Sequence, residues 1–268
     1  MKKALKNLIE SRTGLKCFGD LVRIDADGEL YPLPLVQGNA KIGASVWHAS
    51  TLPTADIVAC EHDNIKYEMR GTCPTTCAGC YGTKGNYNFN DIKYILMRRT
   101  ALLRLYAEIY FFLALCQIKA ENIIYIRVHA TGDFIENEAA GWYKIFKAMP
   151  YLKGWTYTKC KIAGDIKRLN DLKNFNIVNS NIKGCGFNFG HIDYILKVYN
   201  KLVKKGITPY ICRCGIDAGQ HCSNCTGCSK NKYVLFIEHS TEYKAHKDPL
   251  YNTIKELIER QPLQLLDM

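Results

Sequence analysis

The chain has 268 residues, 47% of them hydrophobic, enough to bury a sizeable core, and a βα-repeating fold of this length commonly forms one domain. Its longest apolar run, Ile109 to Cys116, falls far short of the ~20 residues that span a bilayer, so no membrane segment is expected. Met1 to Lys16 carries lysines but no apolar stretch followed by a cleavage site, so it does not read as a signal peptide and a cytoplasmic protein is expected. Without export thiols stay reduced, so the thirteen cysteines point to metal rather than to disulfides.

Residues 1–64 are expected to form a small β-rich extension, with the turn signal Asp25-Ala26-Asp27-Gly28 and prolines at Pro32 and Pro34. From residue 65 to 268 short β-rich runs alternate with helical stretches. Ile65–Arg70 reads as a strand entering a cysteine loop, and Asp91–Ile118 as one long helix with Asn90 as N-cap. Strands then follow at Asn122–Val128, Trp155–Lys159, Phe175–Asn179, Thr208–Cys212 and Tyr233–Glu238. Helices are expected at Glu136–Ala148, Ile162–Lys173 and His191–Lys205, and a last one opens at Pro249 and runs to Arg260. Six strands separated by helices predict an α/β fold, a parallel sheet curved into a partial (β/α)6 barrel, with active-site groups at the strand C-terminal ends.

Cys73-Pro-Thr-Thr-Cys77-Ala-Gly-Cys80 has the spacing C-x3-C-x2-C. Three thiolates this close can each hold one iron of a [4Fe–4S] cubane and leave the fourth iron open to a substrate or cofactor. Zinc is the alternative, although it prefers pairs of ligands separated by longer loops. Cys222-Ser-Asn-Cys225-Thr-Gly-Cys228 is a second metal spacing, with Cys214 as the expected fourth ligand. Its consecutive x2 gaps suit a second [4Fe–4S] cluster, and four thiolates suit zinc as well. Cys17, Cys60, Cys116, Cys160 and Cys185 lack spacing partners and read as ordinary buried thiols.

The first motif resembles that of the radical S-adenosylmethionine superfamily, which carries it after the first strand of a partial βα barrel. More narrowly, Cys80-Tyr81-Gly82 with Lys84-Gly85, Arg127-Val-His129-Ala-Thr-Gly132-Asp133-Phe134 and Tyr157-Thr158-Lys159 resemble a group of phage and mobile-element proteins. The superfamily likeness implies S-adenosylmethionine chelated to the open iron, a 5′-deoxyadenosyl radical that abstracts hydrogen from substrate, and an electron donor such as flavodoxin or ferredoxin. It also implies that Gly132 and Asp133 bind the cofactor's ammonium. The family's aromatic stands before the third cysteine; here Gly79 does, and Tyr81 follows Cys80 as the cofactor-contacting aromatic.

Tyr125, Arg127 and His129 should share one face of their strand. Thr158, Lys159, Asn179 and Ser180 end the next two strands, so Thr158 and Ser180 are candidate cofactor contacts and His129 and Lys159 candidate catalytic residues. The plainer readings are a satisfied core histidine, a solvated lysine, and an Asp133 that caps the following helix.

The formal charge of +11 counts the cysteines as neutral; two cluster sites would lower it to about +8. Lys197, Lys201, Lys204 and Lys205 repeat at helical spacing, as a solvated face or a nucleic-acid surface would. With seventeen tyrosines available for stacking, a zinc-containing nucleic-acid-binding protein is the competing class, and a radical enzyme acting on nucleic acid combines the two.

Overall fold

The computed structural model describes residues 1–24, 28–38, 44–76, 81–83, 85–180, 187–190, 192–213, 227–231, 233–237 and 245–261. The chain opens with α1 (Lys3–Thr13), the antiparallel strands β1 (Lys16–Phe18), β2 (Leu21–Arg23) and β3 (Leu30–Pro32), then β4 (Leu35–Gln37) and β5 (Val46–Ala49). A hairpin of β6 (Ile57–His62) and β7 (Ile65–Arg70) precedes α2 (Asn90–Leu105) and α3 (Ala107–Ala120). Next come β8 (Tyr125–Arg127), α4 (Glu138–Ala148), β9 (Lys153–Thr158), α5 (Gly164–Asn170) and β10 (Phe175–Asn179). Strand β11 (Phe187–Gly190), α6 (Ile192–Val203), β12 (Tyr210–Ile211), α7 (Gly227–Lys230), β13 (Val234–Ile237) and α8 (Tyr251–Glu259) follow.

Two parallel arrays organise these elements. The first sheet has the order β10-β9-β8-β5-β4, parallel throughout except for β4, which pairs antiparallel with β5 at the edge. That edge is sealed by Gln117 of α3, whose amide accepts from the Leu35 N–H and donates to the Leu35 carbonyl, both at 2.9 Å. The second sheet is β11-β13-β12, with the last strand in sequence between the other two. One apolar cluster draws on both sheets: Val46, Tyr125, Trp155 and Val178 meet Tyr210, Cys212 and Val234. Helices α1 to α5 bury the far side of the first sheet, and α6 and α8 the far side of the second. The central strands are buried almost continuously, as in β9 and β10, because helices cover one face and the other sheet covers the other.

Several expectations change. Ile65–Arg70 is the second arm of the antiparallel hairpin, and the first parallel strand is β5, which starts at Val46 rather than at the expected Ile65. A division at residue 64 falls inside this hairpin, and β4 and β5 belong to the main sheet. The expected helix 91–118 is two helices bent by 115° at Tyr106, whose φ and ψ are −136° and 51°. No proline or glycine stands there; packing sets the bend, since α2 lies on the hairpin and β3 while α3 lies on α1 and α4. Asn90 is the first helical residue, and the flanking Phe89 makes no capping bond. Among the described residues no single helix is long and apolar enough to cross a membrane.

Candidate functional site

The C-terminal ends of β5, β8, β9 and β10 are tied by hydrogen bonds that continue past the strands. Ala130 N–H donates to the Ala49 carbonyl at 3.0 Å, Thr51 N–H to Thr131 at 3.1 Å, and Ser180 N–H to Thr158 at 2.6 Å. After the hairpin the chain returns to the same place, where Thr72 N–H donates to Leu52 at 2.9 Å and Cys73 N–H to Thr54 at 3.1 Å. Cys73 therefore starts its loop at the C-terminal end of β5 although it follows β7 in sequence.

A threonine network locks this junction. The Thr72 hydroxyl donates to the Leu52 carbonyl at 3.0 Å and accepts the Asp133 N–H at 2.9 Å. Its proton being committed, Thr51 supplies the hydrogen in the 3.1 Å contact between the two hydroxyls. Thr131 adds a bond to the Thr51 carbonyl at 2.9 Å. Gly132 fits between them with φ of +84°, and a Cβ there would lie 2.0 Å from Thr51 Oγ1 and 2.7 Å from Thr72 Oγ1. Alanine at 132 is expected to lower the unfolding free energy by about 3 kcal/mol or more through strain and overlap, measured by denaturant titration.

Asp133 is buried, and its carboxylate is engaged by the protein. Oδ1 accepts from the Phe134 N–H at 2.8 Å and the Thr158 hydroxyl at 2.5 Å, and Oδ2 from the Lys159 N–H at 2.8 Å. The Thr158 hydroxyl in turn accepts the Cys160 N–H at 2.9 Å. Asp133 thus joins the end of β8 to the end of β9, and it does not cap α4, whose flanking residue is Asn137. Burial and then the Asp133 carboxylate push the Cys160 thiol up to about 11, so it is a neutral thiol at pH 7. Burial likewise raises Cys17, Cys60 and Cys116.

Both flanks of the first cysteine loop are fixed at this edge. Thr76 donates to Asp56 Oδ2 at 2.6 Å, and bonds from Thr76 and Thr54 hold the Asp56 carboxyl below the usual carboxylate range. On the far side Gly82 packs against Pro53 and the Thr131 methyl, leaving room for a Cβ only at 3.0 to 3.4 Å. A groove of about 420 Å³ adjoins these flanks, lined by residues that include Pro53, Thr54, Thr76, Gly82, Tyr87 and Lys93. Cys73 is half-buried, whereas Cys77, Cys80 and the Tyr81 side chain lie outside the described residues. So do Cys185, Cys214, Cys222, Cys225 and the Cys228 side chain. Among the described residues no group of three metal-ligating side chains occurs.

His129 sits inside the protein rather than on the rim. Its φ of +57° ends the strand alternation, so it does not share the face of Tyr125 and Arg127. Nε2 meets Glu138 Oε1 at 2.9 Å, Nδ1 meets Thr156 Oγ1 at 3.3 Å, and the ring abuts Phe134 edge-on. Glu138 also accepts from the Ile135 N–H and the Trp142 indole, both at 3.2 Å. His129 is a satisfied core residue that braces the Ala130–Phe134 turn. The Lys159 backbone serves Asp133, and Thr158 and Ser180 stand on the same edge.

Burial alone would hold the His129 pKa down, but the charge and hydrogen bond of Glu138, with Asp133 beyond, raise it above the ordinary value. A folded value above the unfolded one stabilises the protein fully below pH of about 6.5 and loses that contribution as pH rises through the folded value. Denaturant titrations from pH 6 to 9 are expected to show stability falling in wild type and a flatter profile in His129→Gln.

Sequence reasoning missed Thr51, Thr72, Thr131 and Glu138, because their roles depend on long-range register that no local motif displays. No curated protein and no solved structure matches the chain. The family model described as Gene product 88 matches residues 33–184, a span that contains the whole first sheet and every hydrogen bond of the threonine network. With more than half of its length matched, the chain belongs to the Gene product 88 family.

Proposed function

We propose that this chain is a radical S-adenosylmethionine enzyme built on a partial βα barrel. One observation carries the reading: the start of the C-x3-C-x2-C loop, the Gly132-Asp133 turn and the Thr158-Lys159 and Ser180 strand ends converge on one C-terminal edge, with Thr72 bonded directly to Asp133. Active sites of parallel βα folds occupy that edge. The half-buried position of Cys73 and the anchored flanks of residues 77–80 fit a cluster at this place.

Cys73, Cys77 and Cys80 would hold a [4Fe–4S] cluster whose chemistry, when bound, is reductive cleavage of S-adenosylmethionine. Thr51, Thr72 and Asp133 fix the backbone of Gly132, whose lack of a side chain permits close approach of a ligand's polar group. The Asp133 carboxylate holds this turn instead of meeting the ammonium itself, a role the sequence had suggested. Cys214, Cys222, Cys225 and Cys228 would take a second [4Fe–4S] cluster or zinc.

Anaerobic reconstitution of the full chain, reduced by dithionite or flavodoxin, is expected to give a reducible cubane signal in EPR and 5′-deoxyadenosine from S-adenosylmethionine. Zinc at both cysteine groups in protein prepared without oxygen, with salt-sensitive DNA or RNA binding and no 5′-deoxyadenosine, would instead establish the nucleic-acid-binding class.

A further inference from the structure

We infer that the outer edge of β6 is a docking strand for an extended segment of a partner polypeptide, which enters the groove beside the cysteine loop as a third strand of the hairpin sheet. The phase of the hairpin fixes which backbone groups are open. Asp63 and Asn64 form its two-residue turn with φ of +52° and +60°, so His62 and Ile65 are the closing hydrogen-bonded pair. Bonded pairs then recur at every second residue, Cys60 with Tyr67 and Val58 with Met69, and the next rung is the 3.0 Å bond from the Gly71 N–H to the Asp56 carbonyl. The N–H and C=O groups of Ile57, Ala59 and Glu61 therefore point away from β7. Among the described residues they meet no hydrogen-bond partner.

The groove of about 420 Å³ lies along this edge, since Ile57, Val58 and Ala59 line it while no residue of β7 does. Lys93 of α2 lines it as well, as do Thr76 and Gly82, the flanks of the cysteine loop, so a bound strand lies next to that loop. Sheet edges are ordinarily blunted by lysine, proline, a bulge or a covering element. Strand β6 has neither lysine nor proline, its register runs unbroken, and Ile57 is 68% exposed. The β4 edge of the first sheet, by contrast, is sealed by Gln117.

Charge narrows the occupant. Lys93 makes no ion pair among the described residues, whereas Asp56 is taken by the Thr54 and Thr76 hydroxyls. Residues 77–80 and 84, which join the lining residues in sequence, include no acid. A peptide that carries an acidic side chain near Lys93 satisfies both the backbone edge and this cation, the pattern of recognition by strand addition. Nucleic acid lacks N–H and C=O groups at the strand repeat. The exposed charges of the hairpin are also of mixed sign, Glu61, Asp63 and Glu68 with Lys66 and Arg70, and give a polyanion no uniform field.

Binding here needs no cluster, so its test is separate from that of the proposed chemistry. Fluorescein-labelled hexapeptide amides of alternating valine and threonine, with glutamate, glutamine or lysine at the fourth position, are titrated into the iron-free full chain and followed by polarisation. The glutamate peptide is expected to bind with Kd on the order of 0.1 mM. The lysine peptide should bind roughly threefold or more weakly, as for an exposed ion pair, and Lys93→Glu should reverse that order. Ala59→Pro removes an edge N–H that the hairpin does not use and should weaken binding at least tenfold. N-methylation of one alternate set of peptide amides should do the same, while methylation of the other set leaves binding intact. Should Ala59→Pro not fold, the methylated peptides decide with wild type alone. The proposal is overturned if no peptide binds at about 1 mM, if both methylated sets bind like the parent, or if Lys93→Glu leaves the order unchanged. Concentration-dependent dimers in sedimentation that Ala59→Pro abolishes would give the edge to a second copy of this chain, and an oligonucleotide that binds where the peptides do not would give it to nucleic acid; either result also overturns it.

Discussion

Cys73→Ala protein, reconstituted anaerobically, is expected to keep iron only at the C-terminal cysteines and to form no detectable 5′-deoxyadenosine. The loss should exceed the roughly 10–100-fold that follows removal of an outer partner of a metal ligand, because a ligand itself is gone. Its thiol is half-buried and its backbone N–H is tied to Thr54, so the substitution leaves the loop's anchorage in place. Cys60→Ala provides the opposite case. Cys60 is buried in α2's contact with the hairpin, its sulfur 3.6 Å from the Met97 sulfur, and its loss should lower stability by about 1–2 kcal/mol while iron and product remain at wild-type levels. Iron content per chain, set beside the denaturation midpoint, separates the two. Equal iron in wild type and Cys73→Ala would remove Cys73 from the ligand set.

Four strands from Trp155 onward were legible because apolar runs alternate with amphipathic stretches of the right length, and β10 begins and ends at Phe175 and Asn179 as expected, but the short β11 (Phe187–Gly190) was missed. The first strand was not. The hairpin arms Ile57–His62 and Ile65–Arg70 show strong β composition around the Asp63-Asn64 turn, whereas β5 is four residues, Val-Trp-His-Ala. A sequence pattern reports strand propensity but not which strand lies at the centre of a sheet. The same error misplaced the domain division, since β4 and β5 look like part of a separate extension until their pairing with β8 is known.

Site residues divide along a similar line. Gly132 and Asp133 stand out in sequence as a turn at a strand end, and the structure brings them beside the cysteine loop. What the turn does could not be read, because the partners of Asp133 are Thr72, Thr158 and Lys159, distant in the chain by 61, 25 and 26 positions. His129 was chosen by alternation, and alternation failed when its backbone took a positive φ to reach Glu138. A titratable residue next to a glycine-rich turn is ambiguous until its burial is known.

Asp133→Ala is expected to destabilise the protein even without cofactor, by about 3 kcal/mol, since it strands the N–H groups of Phe134 and Lys159 and the Thr158 hydroxyl in a buried junction. For a chain of this size that corresponds to a fall in Tm of roughly 6–12 °C. Asp133→Asn discriminates further. An amide can still accept at one oxygen, but its NH₂ then faces a second donor, the Lys159 N–H or the Thr158 hydroxyl and Phe134 N–H pair, so only part of the stability should return. If the carboxylate acted chiefly by pairing with a bound ammonium, both variants would unfold like wild type in the absence of S-adenosylmethionine and differ only in its affinity. Because Asp133 also fixes Gly132 against Thr51 and Thr72, the structural role predicts that cofactor affinity falls together with stability, whereas a lone loss of affinity would return Asp133 to the ligand-contacting residues.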